Sequence, residues 1–200
     1  MSKKVNIGVI GGGAWGTTIA KLLSEKNSNV QLWAKETHVK KNIEKNRINK
    51  LFLNNIILPR SLNITNSIYD MKSSDYLFLV TPTQYIESTL KPIKKIIKKS
   101  CIIINCSKGI DIKSSSLISD IIRRVFPQNT IGVLSGPNFA FEIAQGKPTA
   151  SLIATKSILT SKQIARLIGS RNFRPYLSDD IIGAQVCGAM KNVYAIGCGI

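Results

Sequence analysis

The feature that most constrains the fold is a repeated alternation between short apolar runs and amphipathic stretches. Most of the runs are almost continuously apolar, which is the pattern of parallel strands covered on both faces. Repeated strand–helix–strand units predict an α/β fold with right-handed crossovers and a doubly wound, mostly parallel sheet. The predicted strands are residues 5–10, 30–34, 76–81, 101–106, 130–134 and 150–154.

The remaining stretches are assigned by the spacing of their apolar residues. Residues 46–65 have no clear period and are interpreted as a loop with room for one strand. Residues 181–200 are apolar, Gly-rich and without a strand break, which is typical of a buried helix. We predict no membrane segment there, because Lys191 near the middle would be costly at the centre of a bilayer. The other predicted helices lie near residues 14–25, 38–47, 84–98, 115–125, 138–144 and 161–168.

The chain carries a large excess of positive charge, since 28 lysines and arginines against 11 aspartates and glutamates give +17. Such an excess favours anionic partners: nucleic acid, an acidic membrane surface or anionic small molecules. The densest cluster is spaced to form one solvated face of the predicted helix 84–98, and no aromatic residues interleave it to stack bases. We therefore predict no nucleic-acid partner. The cluster consists of Lys91, Lys94, Lys95, Lys98 and Lys99.

Cysteine and histidine usage indicates a reducing compartment and no metal site. The four cysteines are widely spaced without a CxxC pair, which disfavours a disulfide scaffold or a zinc ribbon. No signal peptide is recognised at Met1, so we expect a cytoplasmic protein. His38 is the only histidine, and we predict no bound metal.

The strongest local motif is Gly11-Gly12-Gly13-Ala14-Trp15-Gly16, which fits G-x-G-x-x-G between a predicted strand and a predicted helix. In such loops the first glycine, Gly11, permits the tight turn and the second, Gly13, lets the backbone approach a pyrophosphate. The third, Gly16, lets the helix pack close to the strand. The pyrophosphate would lie on unpaired N–H groups at the positive end of the helix. The motif predicts a dinucleotide site.

The end of the second predicted strand bears on the choice of dinucleotide. In such sites an acidic residue about 20 residues past the loop bonds the ribose 2′-hydroxyl of NAD, whereas a basic residue accommodates the 2′-phosphate of NADP. Both types are present, because Lys35 and Glu36 follow the strand, with Lys40 and Lys41 nearby. The position of Lys35 directly after the strand favours NADPH, and NADH or dual use stays open.

Two lysines occupy unusual surroundings. Lys108 follows the predicted strand 101–106, at the carboxyl edge where parallel sheets bind ligands. Lys191 lies inside an apolar stretch, and an interior ammonium is costly unless it is paired or serves a purpose. Lys191 is therefore a candidate proton donor or anion ligand. The alternative is that its side chain extends to solvent or pairs with an acid distant in sequence.

A third candidate site is the turn Ser135-Gly136-Pro137-Asn138-Phe139-Ala140, which follows a predicted strand. Pro137 suits the first position of a helix, and the N–H groups after Gly136 would face an anion or a carbonyl oxygen. Taken alone, the segment indicates only a good strand-to-helix turn.

Four motifs together resemble NAD(P)-dependent glycerol-3-phosphate dehydrogenase of the bacterial type, over essentially the whole chain. They are the glycine loop continued to Ala20, residues 107–110 (SKGI), residues 135–140 with 146–150 (GKPTA), and residues 188–192 (GAMKN). The resemblance implies a Rossmann-type cofactor domain over residues 1–177 and the first helix of an all-helical substrate domain over residues 178–200. It also implies reduction of dihydroxyacetone phosphate to sn-glycerol 3-phosphate by NADPH or NADH, for phospholipid synthesis.

The resemblance implies roles for single residues as well. Asn138 stands where the family usually has Ser or Thr, which keeps hydrogen bonding but changes its reach. The implied cofactor contacts are Gly11, Gly13, Ala14, Trp15, Gly16, Lys35, Lys108 and Ala140, and the implied substrate contacts are Lys108, Gly136, Asn138, Lys191 and Asn192, with Lys191 catalytic.

The end of the chain leaves more than one function open. The family's helical domain supplies an acid that orients the lysine and an Arg-Asn pair for the substrate phosphate, and neither is present here. One alternative is a module that binds NAD(P)H without turnover, and another is a reductase of a different small ketone or 2-oxo acid. The oligomeric state also stays open, with a homo-oligomer as one possibility. Residues 181–200 are expected to expose apolar surface.

Overall fold

The computed structural model describes residues 5–199, whose eight strands form one sheet. In chain order the strands are β1 (Ile7–Ile10), β2 (Val30–Trp33), β3 (Leu62–Thr65), β4 (Tyr76–Leu79), β5 (Ile102–Asn105), β6 (Ile131–Ser135), β7 (Thr149–Thr155) and β8 (Phe173–Ser178). Their order in the sheet is β3-β2-β1-β4-β5-β6-β7-β8. The first six pair in parallel, β7 runs antiparallel to β6, and β8 is parallel to β7. This confirms the predicted doubly wound, mostly parallel sheet.

Helices cover both faces of the sheet. They are α1 (Ala14–Lys26), α2 (Thr37–Asn46), α3 (Ile86–Leu90), α4 (Ile118–Val125), α5 (Ala140–Ala144), α6 (Ile158–Ile168) and α7 (Ile181–Gly197), with 3₁₀ turns at Ile68–Ser73, Thr83–Tyr85 and Lys91–Ile93. Successive side chains of a strand point to opposite faces. In β4, Phe78 accordingly joins the core under α1, α2 and α6, while Leu77 and Leu79 join the core under α3 and α4. Burial on both faces explains why the strands are continuously apolar.

All six predicted strands are present, with ends shifted by one or two residues, and β3 lies within the stretch interpreted as a loop with one strand. The eighth strand, β8, was not predicted. It contains Arg174 and Pro175 in place of an apolar run, and only Phe173 in it is buried. Because β8 lies at the edge of the sheet, it tolerates a proline without an N–H and side chains that face solvent.

The prediction of one continuous helix over residues 84–98 is wrong. The segment is a 3₁₀ turn, the five-residue helix α3, a second 3₁₀ turn and further turns. Pro92 lacks an N–H, and the backbone after it uses i→i−3 bonds such as Lys94 N–H to Lys91 O. The lysine cluster therefore does not form one helical face, although all five lysines are exposed as expected of a solvated surface.

Helix α7 confirms a helix after residue 180, but it is not buried. Ile181, Ala184 and Gln185 are buried, whereas Val193, Tyr194 and Ile196 are each more than half exposed. The predicted end at residue 200 lies outside the described residues. Within the described part of the chain, no helix combines the length and the apolar character that spanning a membrane requires.

A buried glutamine attaches α7 to the rest of the domain. Gln185 accepts a hydrogen bond from the N–H of Ser119 at 2.9 Å and donates to the Ser119 Oγ at 2.9 Å, at the start of α4. It also donates to the carbonyl of Ile181 at 3.0 Å. These bonds set the position of α7, which carries Lys191, relative to the sheet.

The role of β8 is tested by two substitutions within the same strand. Phe173 is 1% exposed, so Phe173→Ala should lower the free energy of unfolding by about 3–5 kcal/mol through lost burial and a residual cavity. Tyr176 is 50% exposed, so Tyr176→Ala should cost less than about 1 kcal/mol. Denaturant unfolding of both variants measures the difference, and equal losses would contradict the assignment of Phe173 to the core.

Candidate active site

A large concavity of the described structure lies at the point where the strand order reverses, between β1 and β4. It is a cavity of about 1010 Å³ beside the glycine loop, and residues after β4 and β5 complete its wall. Open α/β sheets bind ligands in this crevice, outside the carboxyl ends of the strands. Of the residues predicted to contact ligands, those that line it are Gly11, Gly13, Ala14, Trp15, Gly16, Lys35, Lys108, Asn138 and Ala140.

The three glycines of the motif differ in what surrounds them. Gly11 has a φ of +131° and turns the chain against the carbonyl of Val80. At Gly16 a Cβ would overlap the carbonyl oxygen of Gly11, so only glycine lets α1 approach β1 this closely. At Gly13 no atom lies within 4 Å of a Cβ position. This open space in the cavity wall fits a ligand that approaches the backbone.

The N-terminus of α1 has no competing anion or cap. Gly13 is its N-cap residue, no side chain caps it, and its first turn contains no acidic residue. The first N–H groups of a helix lack partners within the helix and carry the positive end of its dipole. These groups, together with the open space at Gly13, fit a pyrophosphate.

Hydrogen bonds hold the glycine loop against the rest of the domain. The Trp15 Nε1 donates to the carbonyl of Cys106 at 3.1 Å, which ties the loop to the end of β5. The Thr18 Oγ1 donates to the carbonyl of Ala140 at 3.0 Å, which ties α1 to α5. The predicted cofactor residues Trp15 and Ala140 therefore belong to one connected wall.

Asn49 is a loop-supporting residue that the sequence analysis missed. It is fully buried, and its Nδ2 donates to the carbonyl of Gly12 and to the Thr17 Oγ1, both at 2.8 Å. The bonds cross from the irregular segment after α2 to the glycine loop. No periodic signal in residues 46–65 marks this asparagine, because its role depends on a contact between distant segments.

The end of β2 forms the far wall of the cavity. Lys35 and Glu36 line it, and both side chains are exposed. Among the described residues neither forms an ion pair, whereas Lys40 pairs with Glu44 at 3.6 Å. Apolar residues that the sequence analysis did not single out complete this part of the wall: Trp33, Ile68, Tyr85 and Pro92.

Lys108 lines the cavity, whereas Lys191, Gly136 and Asn192 are not among the residues that line it. The Lys108 Nζ donates to the carbonyl of Gly136 at 2.7 Å, and the Lys191 Nζ lies 4.2 Å from the centre of the Phe139 ring. Partial burial, and secondarily the positive charge of Lys191, lower the pKa of Lys108 below 10.5. Lys108 lies on the cavity wall, the charge of Lys191 acts on it, and neither lysine is paired with an acid among the described residues, which fits an anionic ligand.

Close packing of α7 on β6 brings the helix that carries Lys191 near Lys108. A Cβ at Gly188 would lie 2.6 Å from the Ser135 Oγ and 3.8 Å from the Lys108 Cγ. The glycine therefore allows the helix to approach the strand end where Lys108 and Gly136 meet. Asn192, one residue beyond Lys191, is exposed, and its side chain takes no part in the hydrogen bonds among the described site residues.

Asn138 has an incomplete set of hydrogen bonds. Its Oδ1 accepts from the Ser151 Oγ at 2.8 Å, and its backbone N–H donates to the carbonyl of Gly136 at 2.8 Å. Its Nδ2 is buried without a hydrogen-bond partner among residues 5–199. An unpaired buried donor is costly and needs an explanation.

The two buried cysteines, of which only Cys106 lines the cavity, are not reactive groups. Burial, together with the charge of Asp75, raises the pKa of Cys101 to about 12, and burial raises the pKa of Cys106. Thiols with raised pKa values are poor nucleophiles at neutral pH. Within residues 5–199 no cluster of three or more His, Cys, Asp or Glu side chains is arranged to hold a metal ion.

The strand order 3-2-1-4-5-6, the glycine loop and the cavity at the switch point define a dinucleotide-binding domain of the Rossmann type. The model of the family described as NAD-dependent glycerol-3-phosphate dehydrogenase N-terminus matches residues 6–160. The chain belongs to this family.

Relatives and solved structures agree with this membership. The chain is 40% identical over 194 residues to glycerol-3-phosphate dehydrogenase [NAD(P)+] of Paramagnetospirillum magneticum, covering 97% of this chain and 70% of that protein. It is 41% identical over 197 residues to the enzyme of the same name from Novosphingobium aromaticivorans, covering 97% of this chain and 58% of that protein. The crystal structure of glycerol-3-phosphate dehydrogenase from Coxiella burnetii has a TM-score of 0.91 and 28% identity, covering 98% of this chain and 60% of that one. The chain thus spans about three fifths of most of these proteins.

The different surroundings of Gly13 and Gly16 predict different effects of the same substitution. Gly13→Ala should leave the thermal midpoint almost unchanged, because its Cβ meets only open space. It should weaken dinucleotide binding by about tenfold or more, because the Cβ occupies the approach of the pyrophosphate. Gly16→Ala should instead destabilise the fold. Calorimetry and a fluorescence titration separate the two effects, and undiminished dinucleotide binding by Gly13→Ala would contradict the assignment.

Proposed function

We propose that this chain is the cofactor-binding portion of an oxidoreductase that reduces dihydroxyacetone phosphate to sn-glycerol 3-phosphate with NADPH or NADH. The observation that carries the proposal is the cavity that the open glycine loop and Lys108 line together. The names of the relatives support the same reaction. In line with the resemblance, we divide the chain into a cofactor domain at residues 1–177 and the start of a second domain at residues 178–200.

The cofactor would extend along the cavity, with its pyrophosphate on the N-terminus of α1. Gly13 leaves room for this approach, and the apolar side chains of Trp33, Ile68 and Pro92 suit the adenine end. Ala14, Trp15 and Ala140 line the wall between this end and Lys108. When bound, the cofactor supplies a hydride to C2 of the substrate.

The substrate end is formed by groups that donate hydrogen bonds. Lys191 would donate a proton to the carbonyl oxygen of dihydroxyacetone phosphate as that oxygen gains negative charge. Lys108, Gly136, Asn138 and Asn192 would hold the substrate, with Lys108 positioned between the two ligands. The two ammonium groups stabilise negative charge where it develops.

Lys35 favours NADPH over NADH. It lines the cavity without an ion-pair partner among the described residues, so its charge is available to a 2′-phosphate. Glu36 beside it would bond a 2′-hydroxyl and supports some use of NADH.

A cytoplasmic location and a role in phospholipid synthesis are part of the same proposal. Free thiols at Cys101, Cys106, Cys187 and Cys198 are in keeping with a reducing compartment. Supply of sn-glycerol 3-phosphate would be the contribution of the reaction to lipid metabolism.

A second candidate function is a module that binds NAD(P)H without turning over substrate. The complete set of glycine-loop features on the cavity wall supports cofactor binding by itself, independently of any turnover. A reductase of another small ketone or 2-oxo acid agrees less well with two lysines that suit a phosphorylated substrate.

Cofactor titration and a turnover assay on one sample distinguish these functions. We expect the 200-residue chain to bind NADPH or NADH with saturation, to reduce dihydroxyacetone phosphate at a negligible rate, and to self-associate through α7. Fluorescence, absorbance at the nicotinamide band and size-exclusion chromatography measure the three properties. If the folded protein binds neither cofactor, the proposal is refuted. If it reduces dihydroxyacetone phosphate at the rate of an intact enzyme, the second candidate, a binding module without turnover, is refuted.

Preference for NADPH is tested by removing one charge. Lys35→Ala should raise the Kd of NADPH by about tenfold, because a charge-assisted hydrogen bond to the 2′-phosphate is lost, while the Kd of NADH changes little. Lys94→Ala, at an exposed lysine outside the cavity wall, is the matched control and should alter neither value. An equal increase in the Kd of NADPH and of NADH in Lys35→Ala would show that Lys35 does not bind the 2′-phosphate.

A further inference from the structure

Asn49 is held in one orientation by hydrogen-bond partners that cannot exchange roles. Its side chain is fully buried, and its Nδ2 donates to the carbonyl oxygen of Gly12 at 2.8 Å. Its Oδ1 accepts a hydrogen bond from the backbone N–H of Phe52 at 3.3 Å. A carbonyl oxygen only accepts and a backbone N–H only donates, so a half-turn of the amide would break both bonds. The donor end of Asn49 therefore faces the glycine loop.

The bond from Asn49 also fixes the direction of one N–H group in the loop. The peptide bonds of residues 5–199 are all trans, and in a trans peptide the C=O and the following N–H point in opposite directions. Because the Gly12 carbonyl points towards the buried Asn49, the N–H of Gly13 points away from it. Among residues 5–199 this N–H has no hydrogen-bond partner. Gly13 is partly exposed and lines the cavity, whereas Asn49 does not, so the loop offers a free donor on the side away from Asn49.

The loop needs this restraint because consecutive glycines allow a peptide plane to turn over. A half-rotation of the Gly12–Gly13 peptide would bring Gly13, whose φ is −72°, to a positive φ, which glycine adopts about as readily as a negative one. The carbonyl oxygen of Gly12 would then take the place of the N–H, and an acceptor there would repel the oxygens of a phosphate. The bond from Asn49 favours the present orientation, because rotation would leave its buried Nδ2 without the carbonyl.

We propose that Asn49 is a positioning residue for the dinucleotide: by binding the Gly12 carbonyl, it keeps the Gly12–Gly13 peptide turned so that the Gly13 N–H donates to the cofactor pyrophosphate. This inference rests on the proposed function, because that function supplies the cofactor. Asn49 does not line the cavity, so its effect on the cofactor passes through the peptide that it holds.

The experiment measures the Kd of NADPH and the Kd of NADH by fluorescence titration of the 200-residue chain. Asn49→Leu keeps the approximate size of the side chain but removes the donor. It should raise both Kd values by about tenfold, because a hydrogen bond to a charged group is lost and the pyrophosphate is common to the two cofactors. An increase confined to NADPH would place the effect at the 2′-phosphate and would overturn the inference.

Thr17→Val is the matched control within the same hydrogen-bond network. The Thr17 Oγ1 accepts a second bond from the Asn49 Nδ2 at 2.8 Å, its own contact with the Gly12 carbonyl is long at 3.4 Å, and Thr17 is as buried as Asn49. The substitution leaves the bond from Asn49 to Gly12 in place. It should therefore lower the thermal midpoint but change both Kd values by less than about twofold. A merely structural role for Asn49 predicts that both variants weaken cofactor binding alike, and that result would overturn the inference.

The backbone amide resonance of Gly13 provides a direct readout by nitrogen-edited NMR. In the wild type its proton should shift downfield on addition of NADPH, as expected of an N–H that gains a charged acceptor. The shift should be smaller in Asn49→Leu and should match the wild type in Thr17→Val. An equal shift in Asn49→Leu would show that the peptide keeps its orientation without Asn49, and the inference would be overturned.

Failure of the inference can be told apart from failure of the proposed function. If the wild type binds NADPH but the Gly13 resonance does not shift, or if Asn49→Leu binds both cofactors as tightly as the wild type, the inference is overturned and the function stands. If folded wild type binds neither cofactor, the proposed function is refuted and the inference fails with it. Should Asn49→Leu not fold, the titration of Asn49→Ala and the shift of Gly13 in the wild type decide.

Discussion

The contact between the start of α1 and the end of β1 is the constraint on which the site depends. Gly16 lies so close to the carbonyl of Gly11 that no side chain fits, and this brings the uncapped N-terminus of α1 to the carboxyl edge of the sheet. The same edge receives the chain after β4 and β5, because parallel pairing places all their carboxyl ends on one side. Helix dipole, open backbone and cavity therefore coincide as a consequence of topology.

Much of this arrangement was predictable, because its signals are local. Strands buried on both faces must be apolar throughout, so runs such as Val30–Trp33 and Ile102–Asn105 are visible without a structure. The turn at Gly11 and the spacing to Gly16 are equally local, since both act within six residues. Lys108 was predictable for a related reason: a polar residue directly after a buried strand must lie at the sheet edge.

What could not be predicted depends on contacts between distant segments or on small breaks in a pattern. Asn49 supports the glycine loop across more than thirty residues of sequence, and nothing near it signals that role. Pro92 interrupts a helical pattern whose apolar and basic spacing is otherwise sound, and the backbone turns there. Strand β8 lies at an edge, where burial no longer demands an apolar run, so its sequence resembles a loop. The pairing of Ser151 with Asn138 joins β7 to the turn after β6, and the antiparallel register of those strands creates it.

The positively charged residues of the chain do not all indicate a ligand. The exposed lysines between Lys91 and Lys99 are hydrated, and two of them form ion pairs at the surface, with Glu87 and Asp75, so their number says little about a ligand. Lys108 is different, because its Nζ donates to the carbonyl of Gly136 at the cavity wall, and desolvation together with the charge of Lys191 lowers its pKa. A bound phosphate would reverse this penalty, because its negative charge favours both ammonium groups at once. The place of Lys108 on the cavity wall, more than the net charge of +17, therefore indicates an anionic ligand.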